Sequence, residues 1–211
     1  RTRFERFIKD RGYYGFSSEN IYFRVDSTIG NRQVNIYYGI RNYLRLDDSG
    51  KPVYVPHSVY RIKNIYIFPD FVPKEVLEGG ESYQQSLDTM LYKNYYFVTP
   101  RKKSDLKYDL ILQAIYLKPG FVYNVTNTEQ TQNHLMALRT FRHVNIFFRE
   151  EGTVKDGRDE LALNCFIQLT LLDQQSYKIE LEGTNTTGDL GGALNLVYQH
   201  KNLFHGAELF N

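Results

Sequence analysis

Residues 176–211 read SYKIELEGTNTTGDLGGALNLVYQHKNLFHGAELFN. Tyr177, Ile179 and Leu181 alternate with Lys178, Glu180 and Glu182, the period of two that marks a strand with one apolar face. A turn-rich patch follows from Gly183 to Gly192. A second run then sets Leu194, Leu196 and Tyr198 against Asn195, Val197 and Gln199. Two strands of about ten residues joined by a polar turn form the repeating unit of an outer-membrane β-barrel. A barrel needs at least about eight such strands to close, and only two are visible before a third would start. The stretch therefore reads as the entrance to a membrane domain, with a water-soluble portion before it. Two strands with an apolar face cannot stay exposed in water, so residues 177–199 are expected to pair with a sheet edge, on the same chain or on a second copy.

The 211 residues leave room for one large domain or two small ones, and a hydrophobic fraction of 42% supplies real cores. A net charge of +2 provides no basic field of the kind a nucleic-acid binder uses. Tyr 18 and Phe 14 against Trp 0 is an aromatic, strand-leaning composition. The single cysteine, Cys165, sits in the apolar run LALNCFIQLTLL and reads as a small buried hydrophobe. The first residues, RTRFERF, carry no apolar signal region, and no run of about 18 apolar residues marks a membrane helix.

Upstream, RFERFIKDR (3–11) places Phe4, Phe7 and Ile8 on one helical face, and Gly12 ends that helix. Strands follow at Ile21, Phe23 and Val25 and at Val34, Ile36, Tyr38 and Ile40, joined by the turn STIGNRQ. The Gly, Pro and Asp content of LDDSGKPVYVP (46–56) marks a linker and a domain boundary. The chain restarts at YRIKNIYIF, a strand carried by Ile62, Tyr66 or Ile65, and Ile67. Residues 69–105 read as a polar, irregular insertion with a short strand at YYFV. Helices are expected over 106–117 and about 126–138, with Lys118-Pro119-Gly120 between them. Strands then follow at Val144, Ile146 and Phe148 and at Leu161, Leu163, Cys165, Ile167 and Leu169, separated by a charged loop. The second unit thus runs β-α-α-β-β, and the first shows the tail of that order, a weak internal repetition.

These residues resemble a known family. The order β-α-α-β-β is that of POTRA (polypeptide-transport-associated) modules, and LKPGFVY (117–123) is similar to their L-x-P-G-x-x-Y segment between the two helices. LMALRTFRHVNIFF looks like their closing helix and following strand. EGTNTTGDLGGALNLVYQHKNLFHGAE strongly resembles the first barrel hairpin of the bacterial surface-antigen family, the BamA and TamA-like assembly proteins, in its Bacteroidetes form. The resemblance covers essentially the whole chain; it departs at the insertion near 70–105 and in the incomplete first module.

The resemblance implies an α+β fold of tandem POTRA modules, each a three-stranded sheet with two helices, followed by the first hairpin of an outer-membrane β-barrel. Residues 1–50 would be the C-terminal part of one module, 51–174 a complete module and 175–211 the start of the barrel. It implies a periplasm-facing scaffold at the bacterial outer membrane. The implied partners are unfolded outer-membrane proteins and periplasmic accessory proteins, with membrane contact through the downstream barrel and no cofactor. An edge strand with unpaired backbone groups can accept an unfolded client as an extra strand. In the POTRA topology the strand after the second helix lies at the edge, which gives Ile21, Tyr22 and Phe23 in the first module and Asn145, Ile146 and Phe147 in the second. Ile21, Phe23, Ile146 and Phe148 fit a core role better, whereas Tyr22, Asn145 and Phe147 face the other way. Phe147 is expected to pack under a helix, a client or a neighbouring module.

Catalysis finds little support. Of the five histidines, His57, His134, His143, His200 and His205, His134 and His143 lie nine residues apart and lack the spacing of metal ligands, while His200 and His205 fall in the barrel-turn motif of the resembled family, where a structural role fits better. Gly188, Gly191 and Gly192 do not build a phosphate-cradling loop. Two alternatives are a related POTRA-barrel protein with another cargo, secreted protein or lipid, and an enzyme or ligand carrier on a similar α+β fold.

Overall fold

The computed structural model describes residues 2–30, 32–46, 49–100, 107–151, 161–172, 175–186, 189–201 and 209–210. The chain opens with helix α1 (Thr2–Lys9), which Gly12 ends at φ +96°, a conformation glycine adopts without a Cβ penalty. Strands β1 (Ile21–Asp26) and β2 (Asn35–Ile40) pair antiparallel as a two-stranded ribbon. Strands β3 (Tyr43–Leu46) and β4 (Pro52–Val55) form a second ribbon. The stretch 46–56, read as a linker, therefore holds the end of β3 and all of β4; its Gly50, at φ +78°, lies in the connection between them.

The remaining elements up to residue 171 build one sheet with helices against it. In chain order they are β5 (Tyr60–Phe68), α2 (Pro73–Ser86), β6 (Leu87–Tyr92), β7 (Tyr95–Pro100), α3 (Tyr108–Gln113), α4 (Val125–Ala137), β8 (Phe141–Glu151) and β9 (Leu161–Leu171). The five strands lie in the order β6-β7-β5-β9-β8. Within it, β5-β9-β8 with α3 and α4 is the expected β-α-α-β-β unit, β9 running parallel to β5 and antiparallel to β8. The insertion is not irregular. After α2, which is interrupted at Gly80, it forms the β6–β7 hairpin, and β7 extends the sheet by pairing parallel to β5.

Burial follows the period-two pattern. Leu161, Leu163, Cys165, Ile167 and Leu169 of β9 all face inward, and Ile62, Ile65 and Ile67 join them from β5. A register shift between Ile62 and Asn64 makes the inward set change parity within β5, which is why Ile65 rather than Tyr66 lies in the core. Ile111 of α3 and Leu135 of α4 close this core from the helical side. Helix α3 is shorter than the 106–117 expected. The Tyr116 amide donates to Thr131 Oγ1 at 3.0 Å in place of a helical carbonyl, while that hydroxyl donates to Asn127 O at 2.7 Å. The chain then turns at Gly120 (φ +83°) and returns to β5, with Ile62 N donating to Phe121 O and Tyr123 N to Tyr60 O, both at 2.9 Å.

The segment between α1 and β1 is keyed into this unit. Asp10 accepts from the Thr126 amide at 2.9 Å and from its hydroxyl at 2.9 Å, adding a carboxylate to the N-terminus of α4, which Asn124 caps from its own side. Tyr14 packs edge-on against Tyr60, Tyr123 and Phe148. A Cβ on Gly12 would stand 2.5 Å from Val122 Cγ1 and 2.8 Å from Val59 Cγ1. Replacing Gly12 by Ala therefore combines left-handed backbone strain with a clash. Chemical denaturation should show it destabilising the chain by about 1–3 kcal/mol, whereas Gly30→Ala, with open space around its Cβ position, should cost only the backbone strain.

Strands β10 (Gln175–Thr186) and β11 (Asp189–Lys201) form the hairpin read from the sequence, and β12 (Leu209–Phe210) pairs with the end of β11. The expected docking of 177–199 onto another sheet edge is absent among the described residues of this chain: β10, β11 and β12 form a sheet of their own. Only residues 172–174 separate β9 from β10, and β5 and β8 occupy both sides of β9, so β10 does not extend the sheet beside the strand it follows.

Candidate functional site: the open edge of the five-stranded sheet

Strand β8 ends the five-stranded sheet, so its backbone groups that point away from β9 meet no described strand. The opposite end is different. There the insertion hairpin covers β5, and the free edge passes to β6, six residues long against eleven in β8. Val144, buried, and Ile146 and Phe148, half-buried, turn toward the helices and the core, while Asn145, Phe147 and Arg149 occupy the other face. Asn145 Nδ2 donates to Gln168 Oε1 at 3.0 Å, tying the edge strand to its neighbour.

Phe147 is half-buried, and what covers it is neither a helix nor a module. Its ring stacks on Phe166 of β9 at 5.1 Å and 10°. Phe166 stacks on Tyr66 of β5 at 5.2 Å and 15°, and Tyr66 on Tyr96 of β7 at 5.1 Å and 22°. These residues are direct cross-strand partners, so the four rings form a ladder across the face opposite α3 and α4. The ring spacing is close to the ~4.8 Å separation of neighbouring strands, which is why partners in register can stack face to face. The guanidinium of Arg149 lies 5.7 Å from the Phe147 centroid and 5.2 Å from that of Phe166. One end of the face is closed by polar groups. Lys63 Nζ meets Glu151 Oε1 at 2.7 Å and Asn164 Nδ2 donates to Glu151 Oε2 at 2.7 Å, which together hold the Glu151 carboxyl below its ordinary pKa.

The first-module candidates are arranged otherwise. Ile21 is buried, but Phe23 is 51% exposed, against the core role its alternation favoured. The two-stranded ribbon has too few strands to close a core around it. The Tyr22 ring lies over Gly39, its direct partner on β2, close enough that a Cβ there would stand 2.4 Å from the ring. Tyr22 therefore covers a glycine gap in its own ribbon. The six candidates form two separate sets, and only Asn145, Ile146 and Phe147 share an open edge of a well-packed sheet.

His57 bonds to the Arg41 carbonyl and packs on Phe16, and His134 packs on Tyr116. Cys165 is fully buried and its thiol pKa is pushed up by desolvation, so the nucleophilic thiolate is disfavoured. No group of three metal-ligating side chains occurs among the described residues, and His205 and Gly188 lie outside them.

Phe166 has a ring on each side, whereas Phe147 has one. Thermal or chemical unfolding should accordingly show Phe166→Ala costing about 2 kcal/mol and Phe147→Ala about 1 kcal/mol; the reverse order would contradict the ladder.

No protein-family model matches the sequence, and no curated protein matches it. Among solved structures the chain is similar to BamA from Haemophilus ducreyi lacking POTRA domains 1–3, at 12% identity and a TM-score of 0.47 over 95% of this chain and 27% of that one. It is also similar to CdiB from Acinetobacter baumannii, at 10% identity and a TM-score of 0.32 over 80% of this chain and 41% of that one. A third match is POTRA1–3 of the periplasmic domain of Omp85 from Anabaena, at 11% identity and a TM-score of 0.24 over 77% of each chain. The match thus spans about a quarter of the first and about two fifths of the second. At identities this low the functional case rests on the residues and topology described above.

Proposed function

We propose that this chain is the membrane-proximal part of a BamA/TamA-like (Omp85-type) outer-membrane protein assembly or translocation factor. In this reading residues 1–50 and 51–174 belong to successive POTRA modules facing the periplasm, and 175–211 begin the membrane barrel. The observation that carries it is the register of the last hairpin. Tyr177 pairs with Tyr198, Ile179 with Leu196 and Leu181 with Leu194, so these residues of both strands fall on one side, with Ala193 and Val197 on the other. On that side Leu181 is 81% and Leu196 68% exposed. Twelve residues of β10 extend about 40 Å at ~3.3 Å each, and tilted by ~45° they span roughly 28 Å, near the thickness of a bilayer's hydrocarbon core. The apolar stripe, carried by Ile179 and Leu181 opposite Leu196 and Leu194, covers the middle of that length and suits lipid.

The periplasmic part then works as a receptor without covalent chemistry. An unfolded client strand reaching β8 exchanges bonds to water for bonds to the β8 backbone. Those bonds are indifferent to client side chains, so many clients fit one edge. Because the β6–β7 hairpin covers β5, the module's long edge is β8 alone.

The test places a photo-crosslinking residue at Asn145 in the full-length protein in cells, with Lys74 of the exposed α2 as the control position. Mass spectrometry of the adducts is expected to identify unfolded outer-membrane β-barrel proteins at 145 and not at 74. Recovery of only secreted proteins or lipid would move the reading to a POTRA-barrel exporter of other cargo. Absence of any adduct specific to 145 would overturn the edge as a client site.

A further inference from the structure

The aromatic ladder is unfinished at the edge. Tyr96, Tyr66, Phe166 and Phe147 repeat at 5.1–5.2 Å with interplanar angles of 10–22°, one ring per strand, and the series stops at Phe147 because the sheet stops there. At the other end it stops for a different reason: the β6 partner of Tyr96 is Leu91, which is no aromatic. The outward face of Phe147 therefore stands where a residue of an added strand would sit, one strand spacing away. Arg149, two residues along on the same face, supplies a second mark. Its guanidinium rests against Phe147 and Phe166, and no carboxylate lies against it among the described residues.

We infer that the β8 edge prefers one class of strand: an extended peptide with an aromatic residue opposite Phe147 and a carboxylate two residues away, opposite Arg149. This rests on the edge-pairing reading above and adds selectivity to it. The backbone contributes the bonds common to all strands, the fifth ring continues the stack, and the carboxylate neutralises Arg149. Face-to-face aromatic pairs in register are worth enough beyond their buried area to change affinity by roughly three- to tenfold. An exposed ion pair adds about twofold.

The experiment uses the 211-residue chain in detergent solution and fluorescein-labelled ten-residue peptides of alternating Thr and Val, read by anisotropy. The reference peptide carries a central Phe with Glu two residues to either side, which serves both strand directions. Replacing the peptide Phe by Leu should weaken binding about three- to tenfold, and replacing both Glu by Gln about twofold. In the Phe147→Leu protein the Phe and Leu peptides should bind alike. In Tyr96→Leu, which shortens the ladder at its far end, the preference for Phe should survive. Equal binding of Phe and Leu peptides to the native chain, or a preference that persists in Phe147→Leu, would overturn this inference and leave edge pairing standing. Failure of every peptide to bind, or equal binding of a peptide N-methylated along one edge, would overturn edge pairing and this inference with it.

Discussion

The pairing of β9 between β5 and β8 is the constraint on which the rest of the chain depends. Its inward residues, from Leu161 to Leu169, form the middle of the core beneath α3 and α4, and its outward Phe166 is the inner rung of the ladder. Occupied on both sides, β9 leaves no place beside itself for the strand that follows it. β10 and β11 form a separate sheet after a connection of three residues. The same pairing thus closes the core and builds the outer face of the five-stranded sheet, and the last hairpin forms a sheet of its own.

Much of this is legible in residue patterns because burial on one face writes itself as period two. Leu161 to Leu169 alternate without interruption, and β9 follows. The alternation in β5 is broken by the register shift near Lys63, which is why Ile65 and Tyr66 compete in the sequence. Residues 69–105 hide their order for a different reason. The two-residue turn of β6–β7 uses Lys93 and Asn94 at positive φ, 48° and 68°, without the glycine that normally signals such a hairpin. Helix α3 ends early because Thr131, fifteen residues on, captures the Tyr116 amide, a tertiary event that local spacing does not encode.

The site was half visible. Position on an edge strand is what the resemblance to POTRA modules implies, and the outward direction of Phe147 follows from alternation. The ladder does not, since Tyr66, Tyr96, Phe147 and Phe166 are scattered across 101 positions of the chain and become neighbours only through the sheet order. Tyr22 shows the converse. Its outward alternation suits a contact residue, yet its ring covers Gly39, which the register of β1 on β2 brings beneath it.

Joining a water-facing module to a membrane strand pair is the central claim, and site-directed spin labelling of the full-length protein in lipid bilayers tests it most directly. Labels placed singly at 178–182 and 193–197 would be compared for collision with oxygen, which concentrates in lipid, and with a water-soluble nickel chelate. The account predicts high oxygen accessibility at 179, 181, 194 and 196 and low values at the residues between them, a period of two in both strands. Uniform exposure to the nickel chelate, or accessibility without that period, would contradict it.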